Sequence, residues 1–399
     1  MKQLGRKKIY LLLVLVAVAL GLGSLYAWDQ SHKVETVITA TQKTQLKPPE
    51  PSGVLRFAAM GDMLAHDSVI AQAKRGETYD FKPYFAGIRP LYESADAVFC
   101  NAEGLTTGAQ FGVSGYPSFN APTEFARDLV EGAGCNVIGL ANNHMNDKGQ
   151  TAIDANVAVW ENLHLLAFSG ANRSPEEQAK VQYFTKNGVK VGFVAFADYS
   201  NNKNLTSYGV NIYHNTDLVK RLLSEARANA DAVIVSAHWG TEDANVVNAD
   251  QTAAAQLLAD SGADVVIGTG PHVLQPVKIV AAADGRKTLV WYSIGNMLSS
   301  QLKANELTGV IAGFTLTQKK DGGVLVSSPT AQITFMSYDW AAADKTAQLL
   351  ETRSNLQLRT LRDSGDTSVN MFGSQYTQAE RESYVRSTLG TEAAVVITP

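Results

Sequence analysis

The chain has 399 residues, 45% of them hydrophobic and 18% charged, enough for one large folded domain or two modest ones with a real core. A formal net charge of −4, with no long basic or acidic tract, supplies no field for nucleic acid and excludes that class of partner. Residues 1–8 carry Lys2, Arg6, Lys7 and Lys8 without an acid, and residues 9–27 carry no charge at all. As a helix that stretch spans about 28 Å, close to the hydrocarbon thickness of a bilayer. Basic flanks stay in the cytoplasm, so the expectation is a single-pass anchor in the cell membrane with the rest of the chain outside. The alternative is a cleaved signal peptide, cut after Ala27; its apolar core is long for one, and Leu25 suits the cut badly. Residues 28–53, with Pro48, Pro49 and Pro51, read as a semi-extended tether. Cys100 and Cys135, each beside a predicted strand, read as two buried thiols, with pairing open to a domain outside the cytoplasm.

From residue 54 the chain alternates short apolar runs with polar tips, and in open α/β sheets ligands bind at the carboxyl ends of strands. Residues 54–60 form a predicted strand ending in Gly61-Asp62. The glycine is expected to turn the backbone, making Asp62 either a first metal ligand or an ordinary turn residue or cap. His66, four residues on, is a candidate second ligand. Residues 95–100 form the next strand and end in Asn101-Ala102-Glu103-Gly104, where Glu103 is a ligand or a solvated loop acid. Residues 105–120 read as a long loop over the site, and such loops in compact domains are often functional. A helix over 124–132 precedes a strand at 136–140, which stops at Ala141-Asn142-Asn143-His144. The amide oxygen of Asn143 can bind a hard cation, and the imidazole of His144 can donate a proton to a leaving oxygen. Asp147 either orients His144 or caps the following helix, whose apolar face is Ile153, Val157 and Trp160.

A hairpin is expected around Lys186-Asn187-Gly188, and a helix over 217–228. The strand at 232–237 ends in His238-Trp239-Gly240-Thr241-Glu242; a histidine closing a fully apolar run reads as functional. After a helix at 251–261 and a strand at 264–267 comes Gly268-Thr269-Gly270-Pro271-His272, where the glycines admit close approach of an anion or metal. The strand at 288–292 leads to Ser293-Ile294-Gly295-Asn296. Beyond it, strands are expected at 310–317, 323–328 and 331–338, and helices at 346–362 and 378–389. No tip there carries histidine or paired acids, so that part reads as structural.

Together Gly61-Asp62, Asn101-x-Glu103, Ala141-Asn142-Asn143-His144, His238-Trp239-Gly240, Gly268-x-x-Pro271-His272 and Tyr292-Ser293-x-Gly295-Asn296 resemble one family. It is the capsule-synthesis CapA family, also called PgsA, of poly-γ-glutamate biosynthesis proteins, and the six motifs occur in order over about residues 54–300. The resemblance implies a calcineurin-like metallophosphoesterase fold of α/β type: two facing mixed sheets flanked by helices in four layers, with 301–399 completing the domain. In that superfamily the tips hold a dinuclear metal centre that binds a phosphoester and activates water. Carried over by motif, Asp62 and Glu103 are metal carboxylates, Asn143, His238 and His272 further ligands, and His144, with Asp147, the acid. Asn142, Trp239, Glu242 and Asn296 shape the pocket.

Two positions depart from the superfamily pattern: Leu64 and Gly270 stand where imidazoles are usual. The expectation is therefore one tight divalent ion (Mn, Zn or Fe) and a second, weaker one, unless His66 completes the set. A histidine placed at 270 is expected to strengthen the second site if the pocket has room. The functional expectation is a membrane-anchored, extracytoplasmic component of capsule or poly-γ-glutamate production, acting with membrane proteins on an anionic polymer. A free-standing surface metal-dependent phosphoesterase and a non-catalytic scaffold are the alternatives.

Overall fold

The apolar runs pair into two mixed sheets, seen in a computed structural model that describes residues 53–365 and 376–399. The larger sheet runs β16 (Ser354–Thr360), β15 (Val324–Asp339), β14 (Thr308–Gln318), β1 (Val54–Leu64), β4 (Ala97–Glu103), β5 (Val137–Gly139), β6 (Ala167–Ser169). Two short strands join it, β13 (Asn296–Leu298) on β1 and β17 (Val396–Thr398) on β15. The smaller sheet runs β11 (Leu274–Ala281), β12 (Lys287–Ile294), β10 (Val265–Thr269), β9 (Ala232–His238), β8 (Val189–Ala197), β7 (Gln182–Lys186). A separate ribbon pairs β2 (Lys74–Arg75) with β3 (Thr78–Tyr79). The strands that carry the polar tips are parallel: β1, β4, β5 and β6 in one sheet and β8, β9, β10 and β12 in the other. Their carboxyl ends are thus brought to one side.

The two-residue side-chain period explains why these strands read as unbroken apolar runs. Along β9, Ala232 and Ile234 join the core between the sheets, while Val233, Val235 and Ala237 join a second core. That second core packs Leu218, Leu222 and Leu223 of a helix at Thr216–Asn229 and Leu258 of a helix at Ala249–Ser261. Buried on both faces, a parallel strand has no polar alternation to show. Each such leucine contributes about 1.5–3 kcal/mol by leaving water. Across the inter-sheet core Phe99 of β4 meets Phe193 of β8 edge-on, ring centroids 6.1 Å apart. The helices at Thr123–Glu131 and Gln150–Glu161 bury Phe125, Leu129, Ile153, Val157 and Trp160 in the same large core.

Several expectations need correction. Cys100 and Cys135 are not free thiols; they form a disulfide closing a separation of 35 residues. Cys100 follows Phe99 in β4 and so points away from the inter-sheet core, toward the chain just past the helix at Thr123–Glu131. Residues 346–362 are not a helix but a short turn, the strand β16 and another turn. Leu356, Leu358 and Thr360 alternate inward, and pairing with β15 outweighs the helical spacing of the leucines. The two strands expected at 323–328 and 331–338 are one, β15, which passes through Pro329 at a register shift with β14. Gly61 does not end the strand: β1 continues to Leu64, with Gly61 at a bulge where the pairing with β4 shifts between Met60 and Asp62. A Cβ there would lie 1.8 Å from the carbonyl oxygen of Gly295, so close approach of two backbones is what requires glycine.

The Asn187-Gly188 hairpin and the helix at Gln378–Leu389 lie where expected. Among the described residues no helix is long and apolar enough to cross a membrane. The basic tail at 1–8, the expected anchor at 9–27 and the tether as far as residue 52 lie outside those residues.

Candidate metal centre

Strand register assembles the site. Asp62 of β1 stands beside Asn101 of β4 on one side and Asn296 of β13 on the other, and Glu103 pairs with Leu64. In the facing sheet His238 closes β9 between Ala197 of β8 and Thr269 of β10. His272 lies three residues past β10, at φ +60°, a left-handed conformation costing about 1–3 kcal/mol that the surrounding bonds must hold.

The carboxylates and imidazoles converge with almost no exposure. Asp62 Oδ1 accepts from Asn101 Nδ2 at 2.7 Å, and its Oδ2 accepts from the Gly270 N–H at 3.2 Å. His272 Nδ1 is 3.2 Å from Asp62 Oδ2 and 3.0 Å from Asn296 Oδ1. His238 Nδ1 is 3.1 Å from Thr269 Oγ1 and 3.2 Å from Asn101 Nδ2, which leaves Nε2 3.0 Å from Asn143 Oδ1. Glu103 Oε1 stands 3.8 Å from Nε2 of both His238 and His272. Asp62, Glu103 and His238 each bring one donor atom within 4.8 Å of the others. His272 reaches Asp62 and Glu103 with different ring nitrogens.

The donor set fits a cation. Both Glu103 carboxylate oxygens are buried without a hydrogen-bond partner, as is Oδ1 of Asn101. An unpaired buried carboxylate is costly, and coordination of a metal is one of the few arrangements that relieves it. Ligand atoms about 2.1 Å from a common ion stand roughly 3.0–3.4 Å apart, the range in which the His238–Asn143 and His272–Asp62 separations fall.

The electrostatics reflect this crowding. Burial, then the charge of Asp62, pushes the Glu103 carboxyl well above its ordinary value. Burial also acts to raise Asp62, but the hydrogen bond from His272 and the charges of His238 and His272 outweigh it and hold Asp62 low. Burial drives His238 down to about 4. Burial opposes the protonation of His272 too, yet Glu103 and Asp62 beside it push it up to about 10.

His144 lies at the rim. Its Nδ1 is 2.7 Å from Asp147 Oδ2, which also accepts from the Phe119 N–H at 2.8 Å. Asp147 therefore orients the imidazole; the helix that follows starts at Gln150 with Gly149 at its cap and no side-chain cap. Phe119, near the end of the expected loop over the site, meets His144 edge-on at 4.7 Å and His66 at 5.3 Å. Asn201 adds its amide 3.4 Å from the His144 ring, and its N–H donates to the Asn143 carbonyl.

The other expected residues divide. Asn296 holds His272 and donates to Gln301 Oε1 and the Glu306 carbonyl. Glu242 is exposed, and its charge bears on Glu103 and His272. Asn142 does not shape a pocket: its amide bonds the Ala102 carbonyl and the Gly104 N–H and so braces the strand end that carries Glu103. Trp239 is a core residue, stacked on Tyr292 with its Nε1 donating to the Tyr292 carbonyl. His66 is not brought into the cluster; Ser300 donates its N–H to His66 Nδ1, and burial holds the ring down to about 3. Leu64 is buried apolar, and Gly270 leaves no room for a side chain. Asn101, Thr269 and Asn201 complete the site. Asn201 follows the polar end of β8, so it carried the same strand-tip signal as the rest.

A model of the family described as bacterial capsule synthesis protein PGA_cap matches residues 56–301. The capsule biosynthesis protein CapA of Bacillus anthracis is 30% identical over 178 residues, 43% of this chain and 42% of that protein, so the chain spans less than half of that relative. The PGA biosynthesis protein CapA of Bacillus subtilis (strain 168) is 24% identical over 292 residues, 72% of each chain. Among solved structures, the NAD nucleotidase NadN of Haemophilus influenzae superposes with a TM-score of 0.45 and 11% identity, over 86% of this chain and 57% of that one. A putative 5′-nucleotidase from Staphylococcus aureus gives 0.41 and 14%, over 75% and 57%. The PGA_cap match takes in well over half of the chain and every strand tip of the cluster, and the protein belongs to that family of bacterial capsule synthesis proteins.

Proposed function

We propose that the chain is a membrane-anchored, extracytoplasmic component of poly-γ-glutamate or related capsule polymer biosynthesis or export, built around a divalent metal centre. The observation that carries this reading is Glu103: a buried carboxylate with neither oxygen bonded, faced by Asp62, His238 and His272. A divalent ion there supplies Lewis acidity toward a substrate oxygen and a lowered pKa for water. Asp62, Glu103 and His238, with Asn143 beside His238, would hold a tight ion, and His272 with Asp62 a weaker one. Mixed carboxylate, amide and imidazole donors suit Mn²⁺, Zn²⁺ or Fe better than Ca²⁺. His144, fixed through Nδ1 by Asp147, would give a proton to a leaving oxygen, and the Phe119 ring beside it would keep water from the imidazole face.

Residues 9–27 would anchor the domain outside the membrane, where the Cys100–Cys135 disulfide is stable and membrane proteins of a synthesis complex can meet it. The test is polymer yield in a host lacking this chain and supplied with wild type, Glu103→Gln or His144→Ala. Full yield from both variants would sink the reading. The His144–Asp147 pair also favours a second reading, a cell-surface metal-dependent phosphoesterase. Turnover of phosphoesters by the metal-loaded protein, with polymer yield unaffected by its loss, would put that reading first.

A further inference from the structure

Next to the metal centre lies a cavity of about 520 Å³, bounded by His66, Tyr116, Ser300, Lys303, Glu306 and Arg353 among others. A hydrogen-bond relay links its wall to the cluster: Asn296, which holds His272, donates to Gln301 Oε1 and to the Glu306 carbonyl, and both of these residues line the cavity. One wall comes from the chain between β15 and β16, beyond the residues the family match covers.

Arg353 is the unusual group on that wall. It is buried, and its guanidinium lies over the rings of Tyr338 (5.5 Å) and Trp340 (5.9 Å). Its Nε donates to the Leu350 carbonyl at 2.6 Å, and it makes no ion pair among the described residues. Of the three acids that line the cavity, Asp67 and Glu306 are engaged elsewhere and Glu351 is exposed. Asp67 Oδ1 accepts the Gly115 N–H, and Glu306 Oε2 accepts the N–H groups of Leu302 and Lys303. Lys303, the other cation, is paired with Asp243. A buried guanidinium with both Nη groups unspent, held rigid by two aromatic rings, is a preformed fork for an oxyanion.

We propose that this cavity is the subsite for a carboxylate of the substrate, with Arg353 its anchor. Only one lining cation is uncommitted, and Asp67, Glu306 and Glu351 also border the cavity, so a monoanionic carboxylate suits it better than a phosphate dianion. The proposal deepens the capsule-polymer reading and rests on it: a polymer of γ-linked glutamate carries one free carboxylate per unit.

The experiment uses the full chain in detergent, loaded with Mn²⁺, and measures binding of a synthetic γ-linked oligoglutamate of about ten residues. Arg353→Met, which keeps the stem between the rings, should weaken binding at least tenfold while metal content stays at the wild-type level; charge-assisted hydrogen bonds have about that weight. Glu351→Gln removes an exposed negative charge from the cavity and should tighten binding about two- to threefold at low salt, with the gain lost at high salt. Misfolding cannot produce that gain. Tyr116, 68% exposed at the mouth, can be cut to alanine without touching the core and should weaken binding a few-fold.

Equal binding by Arg353→Met and wild type, or no binding by wild type, overturns the proposal. So does inorganic phosphate binding more tightly than the oligomer in an Arg353-dependent way. Failure of the capsule-polymer reading is recognised separately, as full polymer yield from both Glu103→Gln and His144→Ala.

Discussion

Gly270 offers a sharp quantitative test, because the sequence suggests a histidine there as a gain and the structure makes it a loss. Its φ is +105°, and a Cβ would lie 2.7 Å from the Trp239 carbonyl oxygen and 2.9 Å from the Trp239 nitrogen. Both are backbone atoms that cannot swing aside. The left-handed backbone costs a side chain about 1–2 kcal/mol. Forcing atoms into a packed site costs about 1–3 kcal/mol more. Gly270→Ala should therefore lose about 2–5 kcal/mol, a large share of the roughly 5–15 kcal/mol that holds a typical domain. The Gly270 N–H also donates to Asp62 Oδ2, so the same change should weaken metal retention. Urea unfolding of metal-free wild type, Gly270→Ala and Gly270→His, followed by metal analysis of each, reads both effects. A Gly270→His protein with wild-type stability and a second bound ion would refute the reasoning.

His144→Ala should lower activity or polymer yield by about 10²–10⁴-fold with metal content unchanged; unaltered yield would return His144 to an ordinary rim residue. Metal binding at pH 7 should release about one proton, because His272, pushed up to about 10 by the charges of Glu103 and Asp62 against its burial, must give up its proton to become a ligand. Affinity should accordingly rise with pH and fall in acid, and calorimetry in buffers of different ionisation enthalpy counts the protons. Replacing both Cys100 and Cys135 by serine opens a loop of 35 residues and should cost about 4 kcal/mol in urea unfolding, with reduction of the wild type giving a similar loss. A reporter fused after Gly53 should be active only if it works outside the cytoplasm; a cytoplasmic-only signal would contradict the anchor.

What was legible in the sequence follows from local physics. Strands buried on both faces, such as β9 at Ala232–His238, are continuous apolar runs, and a polar residue ending such a run marks the tip where parallel strands present ligands. That rule alone picks out Asp62, Glu103, Asn143, His238 and His272. It does not tell which neighbours hold them. Asn142 and Trp239 sit in the same tips as Asn143 and His238 but turn away, one to brace the backbone beside Glu103 and one into the helix-side core. Position within a tip does not fix the direction of a side chain; strand register does.

Other features were invisible for want of a local signal. Cys100 and Cys135 pair because β4 and the turn before β5 lie side by side, a contact between strands that spacing does not reveal. Arg353 reaches the cavity only because β16 adds to the far edge of a sheet whose first strand is β1. The false helix at 346–362 has the same origin, since Leu356 and Leu358 take their spacing from β15 rather than from a helix of their own.

The central claim is that Glu103 is a metal carboxylate, and the metal content of the purified full chain tests it most directly. After exhaustive dialysis the wild type should keep one divalent ion per chain, with a second bound only when metal is in excess. Glu103→Gln, which keeps the shape and removes the charge, should keep none. A wild type that binds no metal, or a Glu103→Gln protein that holds its ion as tightly as wild type, would contradict the account.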